Sequence, residues 1–175
     1  IPMIKDCGVD YVIVGHSERR HVFGETDEWI NNKVRGLLSY GLNPILCIGE
    51  TIDERKSGET ALVLKDQLEK GFDSIDNIRD CIIAYEPVWA IGTGVTATIE
   101  QVQIAHTVIR EIIGKNYGIG NDVHILYGGS VNSDNAKDLI QTKGVDGFLI
   151  GGASLDANSF ASVIRTVEEV QENRK

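Results

Sequence analysis

Apolar residues take two alternating textures along this chain of 175 residues. Short unbroken runs, rich in Ile, Val and Leu, occupy 11–14, 44–48, 82–85, 123–127 and 147–150. Runs of this length without polar alternation predict strands buried on both faces. Between them the apolar positions spread to helical spacing. That spacing predicts helices over 28–39, 60–70, 99–113 and 134–142, with 159–172 closing the chain. Residues 2–8 read as the end of a further helix. Gly8, Gly41, Gly114 and Gly144 fall where helix C-caps belong. Ser133 or Asp134 is positioned to cap the helix beginning at Asn135.

Repeated strand–helix units predict an α/β fold with a parallel sheet and right-handed crossovers. No linker or composition shift divides the chain, so residues 1–175 are expected to form one domain. The strand ends are unequal. Polar and glycine-rich residues cluster after the strands: Gly15-His16-Ser17, Gly49-Glu50, Glu86, Gly128-Gly129-Ser130 and Gly151-Gly152. The turns leading into the strands are bland. Both a βα barrel and an open doubly wound sheet put their sites on that C-terminal side.

Charge and cysteine usage narrow the function classes. The formal net charge is −9 and no basic face is evident, which argues against a nucleic-acid partner. No stretch of eighteen apolar residues predicts a membrane span, and no secretory signal opens the chain. The first residue is Ile1, within a helix end, so earlier residues are expected to be missing. Cys7, Cys47 and Cys81 lack metal or redox spacing and suit free thiols in a reducing, cytoplasmic compartment. No two His or Cys residues have ligand spacing, so no metal is expected.

Three features could carry chemistry. Glu86 ends an apolar strand and is followed by Pro87, then by Val88-Trp89-Ala90-Ile91, then by Gly92-Thr93-Gly94. An acid beneath an apolar cover with glycine hinges suits a shielded base whose affinity for protons is raised by desolvation. A surface carboxylate is the bland reading. Trp89 is either core or the anchor of that flap. His16 follows a strand and precedes a helical turn, where a helix N-terminus would keep the imidazole neutral and able to donate to a carbonyl oxygen. A capping role is its alternative. His21, His106 and His124 read as surface or core. Gly128-Gly129-Ser130 and Gly151-Gly152 follow consecutive strands and precede helices, as an anion pocket of backbone N–H groups requires, although tight turns also use such pairs.

Gly15-His16-Ser17-Glu18-Arg19-Arg20, Cys47-Ile48-Gly49-Glu50, 84–94, Tyr127-Gly128-Gly129-Ser130-Val131 and Gly151-Gly152-Ala153-Ser154 together resemble the triosephosphate isomerase family, in order and spacing. The resemblance implies a parallel (β/α)8 TIM-barrel, here incomplete with about five βα units. It implies interconversion of dihydroxyacetone phosphate and glyceraldehyde 3-phosphate without a cofactor. Glu86 matches the family's base, His16 its neutral electrophile, and Glu18 a buried carboxylate with an orienting role. Gly92, Ser130, Gly151 and Gly152 match the phosphate grip. Pro87, Val88, Trp89, Ala90, Ile91 and Thr93 match the closing flap. The first three units are absent, and with them the family's asparagine and lysine and its dimer loop. A homodimer is therefore in doubt for this chain, and its own turnover is expected to be slight. Other sugar-phosphate barrel enzymes and a non-catalytic half-barrel are the competing readings.

Overall fold

The computed structural model describes residues 1–92 and 95–173. Five strands form one all-parallel sheet: β1 (Tyr11–Val14), β2 (Asn43–Ile48), β3 (Ile82–Tyr85), β4 (Ile125–Tyr127) and β5 (Gly147–Phe148). Their order in the sheet is their order in the chain, so β1 and β5 are edges. The helices are α1 (Pro2–Asp6), α2 (Ser17–His21), α3 (Asp27–Ser39), α4 (Ile52–Lys56), α5 (Thr60–Gly71), α6 (Ile99–Tyr117), α7 (Ala136–Gln141) and α8 (Ala157–Glu172). Short 3₁₀ turns occupy Val88–Ala90 and Gly152–Leu155. None of the described helices is long and apolar enough to cross a membrane.

Register divides the sheet into two faces. Val14, Leu46, Ile83 and Ile125 lie opposite one another and pack with the helices, as do Ile48, Tyr85 and Tyr127. The helices supply apolar faces at helical spacing: Ile30, Val34 and Leu37 from α3, Val102, Ala105, Ile109 and Ile113 from α6. The alternate row, Ile13, Ile45 and Ile82, points away from the helices. Ile13 on the β1 edge is 50% exposed. Residues following both edges line one cavity, so the sheet curls into an arc with this row on its inner side. That is the architecture of an incomplete (β/α)8 barrel.

Local chemistry explains the ends. Thr26 caps α3 through its hydroxyl, which accepts from the N–H of Trp29. Thr51 with Glu54, and Thr98 with Gln101, form reciprocal capping boxes at α4 and α6. Gly8 and Gly41 adopt positive φ just past the ends of α1 and α3, as a C-terminal glycine should.

Four expectations need correction. Gly114 does not end α6; the helix runs on to Tyr117, and Gly118 takes the left-handed position. A lone glycine costs a helix only about 1 kcal/mol, and the close approach here belongs to Gly120, where a Cβ would stand 3.1 Å from the Gly114 backbone. Neither Ser133 nor Asp134 caps α7. The Asn132 side chain accepts from the N–H groups of Asp134 and Asn135, delaying the helix to Ala136. Gly144 lies beyond the cap residue Thr142, in the turn that enters β5. Strands β4 and β5 are shorter than their apolar runs, because residues 123–124 and 149–150 lie outside the paired register.

Candidate active site

Strand β3 delivers Glu86 to the C-terminal end of the sheet, where it is only 3% exposed. Glycine makes its position possible. A Cβ on Gly49 would stand 1.7 Å from the Glu86 carbonyl oxygen, and one on Gly128 would stand 2.9 Å from Glu86 Cγ. Side chains at either position would displace the carboxylate. Backbone bonds complete the seat: the N–H of Glu86 donates to Ile48 and that of Gly128 to Tyr85.

Strand β1 delivers the partner. His16 Nε2 lies 3.2 Å from Glu86 Oε1, and the N–H of Ser17 donates to Glu86 Oε2 at 2.9 Å. His16 is also the cap residue of α2, its Nδ1 accepting from the N–H of Glu18 at 3.3 Å. A ring nitrogen that accepts carries no proton. A neutral His16 therefore holds its hydrogen on Nε2, directed at the carboxylate. Arg20 ties this end of β1 to its surroundings: it donates to the carbonyls of Gly15 and Cys47 and pairs with Asp27.

The electrostatics follow from burial. Desolvation raises the Glu86 pKa above the ordinary carboxylate range. His16, the Ser17 N–H, the Cys47 thiol and Arg20 oppose this without cancelling it. Cys47 lies against Glu86 from β2 and is held as a neutral thiol, first by burial and then by the Glu86 charge.

The resulting cavity, about 280 Å³, is lined by His16, Glu86, Ile91, Gly92, Ser130 and the backbone of Gly151-Gly152, among others. The N–H groups of Ser130, Gly151 and Gly152 have no acceptor among the described residues. They are available to an anion. No Lys or Arg is among the described residues lining the cavity.

Above Glu86 the flap segment begins as a 3₁₀ turn, with Pro87 and Ala90 buried and Val88 and Trp89 half-buried. Thr93 lies outside the described residues. The structure thus brings together Glu86, His16, Gly92, Ser130, Gly151 and Gly152, with the flap's start beside them.

Glu18 is the exception. It is exposed, and its backbone N–H, not its carboxylate, meets His16. The reason is positional: α2 follows the edge strand, and its first turn has solvent on its outer side. The expectation of a buried Glu18 is corrected accordingly.

Three residues of the site escaped the sequence reading. Cys47 reads from sequence only as a free thiol, because a strand buried on both faces hides which side faces the site. Ser17 acts through its backbone, which leaves no trace in residue type. Arg55 sits on a helix whose sequence signal is the Thr51-x-x-Glu54 signature.

The family model described as Triosephosphate isomerase matches residues 1–167. The triosephosphate isomerase of Mycoplasmoides gallisepticum is 53% identical over 165 residues, covering 92% of this chain and 66% of that protein. That of Fusobacterium nucleatum subsp. nucleatum is 48% identical over 167 residues, covering 93% and 66%. That of Chloroherpeton thalassium is 48% identical over 170 residues, covering 95% and 68%. The chain spans about two thirds of the length of these curated relatives. With a family model matched over residues 1–167 and relatives about 50% identical across more than nine-tenths of its length, the chain belongs to the triosephosphate isomerase family.

Proposed function

We propose that the protein to which this chain contributes is a triose-phosphate isomerase, and that residues 1–175 act as one domain carrying the proton-transfer half of its site. The observation that carries this is the 3.2 Å pairing of a buried Glu86 with the His16 imidazole at the mouth of the cavity. A carboxylate desolvated to this degree is a competent base for a proton on carbon beside a carbonyl. Glu86 removes that proton and returns it to the adjacent carbon. His16, presenting an Nε2–H, polarises the carbonyl oxygen while the enediolate forms. The substrate oxygens enter where His16 and Glu86 now meet, so the two groups part on binding. The substrate phosphate is held by the N–H groups of Ser130, Gly151 and Gly152, with Gly92 added by the flap. Pro87 to Gly92 close over the cavity and exclude water.

No Lys or Arg is among the described residues lining the cavity. In our reading the lysine implied by the resemblance comes from the N-terminal units and faces the cavity across the open edge of β1. The protein is cytoplasmic, which its three unpaired cysteines suit. It acts as a homodimer. Val22 and Phe23, exposed after α2 with the Arg19 guanidinium 5.1 Å from the Phe23 ring centroid, offer an apolar contact for a second copy.

Glu86→Gln in the intact protein tests the assignment. It keeps the shape and removes the base, and turnover of glyceraldehyde 3-phosphate should fall by roughly 10²–10⁴-fold. A variant with near-normal turnover would remove Glu86 from the mechanism.

A further inference from the structure

Glu50 follows β2 and is fully buried, yet it is not part of the cavity lining. Its carboxylate collects three side-chain donors. Tyr85 Oη lies 3.1 Å from both oxygens, Trp89 Nε1–H donates to Oε1 at 3.1 Å, and Arg55 Nη1 donates to Oε1 at 2.9 Å. The Glu50 carbonyl also accepts from the N–H of Val88. Two of these four contacts come from the flap segment, at Val88 and Trp89.

Arg55 is the only cation among these partners. It extends from α4, a helix held by its Thr51–Glu54 capping box. Its guanidinium does two things at once. It pairs with Glu50, and it lies over the Trp89 ring at 5.0 Å from the centroid. A buried carboxylate left with neutral donors alone is poorly compensated. An indole whose face is uncovered loses the cation–π contact. Lysine could supply the charge without the flat stacking surface, and methionine could supply neither the charge nor the fork.

We infer that Arg55 is a positioning residue for the flap: by bridging Glu50 and Trp89 it pins Val88–Ala90 to the end of β2. Arg55 touches no substrate and acts through Trp89. This role rests on the isomerase reading for its kinetic consequence, but not for its structural one.

The experiment compares Arg55→Met and Arg55→Lys with the parent in the intact protein, with Trp89→Phe used to assign the Trp89 indole signal. The first readout is hydrogen exchange at Trp89 Nε1–H by NMR. It should be slow in the parent, at least about tenfold faster in Arg55→Met, and about threefold faster in Arg55→Lys, which keeps the ion pair. The second readout is the kinetic split. KM for glyceraldehyde 3-phosphate should rise about tenfold in Arg55→Met with kcat within about threefold, because a displaced flap weakens the phosphate grip rather than the base.

Unchanged indole exchange in Arg55→Met overturns the inference, whatever the isomerase assay shows. So does faster exchange with unchanged KM in an active enzyme. A lower thermal midpoint with both readouts at parent values reduces Arg55 to a purely structural residue and also overturns it. If Arg55→Met does not fold, Arg55→Lys decides by the same exchange measurement, and parent-like exchange there refutes the stack. A parent with no isomerase activity but faster indole exchange in the variants removes the functional reading and leaves the pinning of the flap standing.

Discussion

Lowering the pH from 7 to 5 should remove about 2 kcal/mol of stability through a single side chain, His106. It lies on the inner face of α6, fully buried, with its ring edge-to-face against Tyr85 at 5.8 Å between centroids. Its Nδ1 is 3.0 Å from the Gly144 carbonyl, so Nδ1 carries the hydrogen, and Nε2 has no partner among the described residues. Protonation would put a second N–H where nothing accepts it. Burial pushes the His106 pKa down from 6.5 to about 4; the Gly144 carbonyl and Asp146 resist this, and the Arg110 guanidinium adds to it. The unfolded chain therefore takes up a proton near pH 6.5, while the folded chain declines it until about pH 4. The stabilising contribution is complete above pH 6.5, falls as the pH drops through that window, and is gone below about pH 4. The full span is about 3 kcal/mol. Glu86 works the other way, since a raised carboxylate gains its proton first in the folded state. Comparison with His106→Gln isolates the histidine. The assay is urea unfolding at half-unit pH steps, followed by far-UV circular dichroism. At pH 7 the variant should be the less stable, and the gap should close or invert towards pH 5. A gap that stays constant from pH 7 to pH 5 refutes the reasoning.

Two further outcomes follow from the site. Gly49→Ala places a methyl group inside contact distance of the Glu86 backbone. It should cost about 1–3 kcal/mol of stability, measured by denaturant unfolding, and should lower kcat, because the carboxylate must move. An alanine variant with parent values in both would show that the seat of Glu86 is not rigid. The 175-residue chain alone, whose described cavity lining holds no Lys or Arg, should turn over glyceraldehyde 3-phosphate at least about 10²–10³-fold more slowly than the same chain joined to the N-terminal units that the family resemblance implies. Equal rates would mean that the missing cation is dispensable.

The sequence exposed those parts of the fold that depend on composition over several residues. Runs such as Ile82-Ile83-Ala84-Tyr85 admit little but a buried strand, and β3 matches its expected range. Spacing alone also marked the apolar faces of α3 and α6. What stayed hidden depends on neighbours distant in the chain. Gly114 reads as a helix stop until Gly120 is seen crossing it. Glu18 reads as a site acid until the edge position of β1 exposes it. Glu50 and Trp89 stand 39 residues apart, and nothing local joins them. Glu86 and His16 were legible as candidates because each combines a strand end with an unusual successor. Their distance was not, because it is set by the two glycines that let Glu86 through and by Arg20 behind β1.

The pairing of every strand with its chain neighbour has a consequence for how this sheet is built. Each pairing closes a loop of roughly 20 to 40 residues, with β4 to β5 the shortest and β3 to β4 the longest. Doubling a loop adds only about 0.6 kcal/mol of closure entropy. No junction is therefore a privileged seed, and growth can spread outward from any adjacent pair, one unit at a time. A strand contributed from the N-terminal side would join at β1 on the same terms, as a late addition to a template that is already ordered.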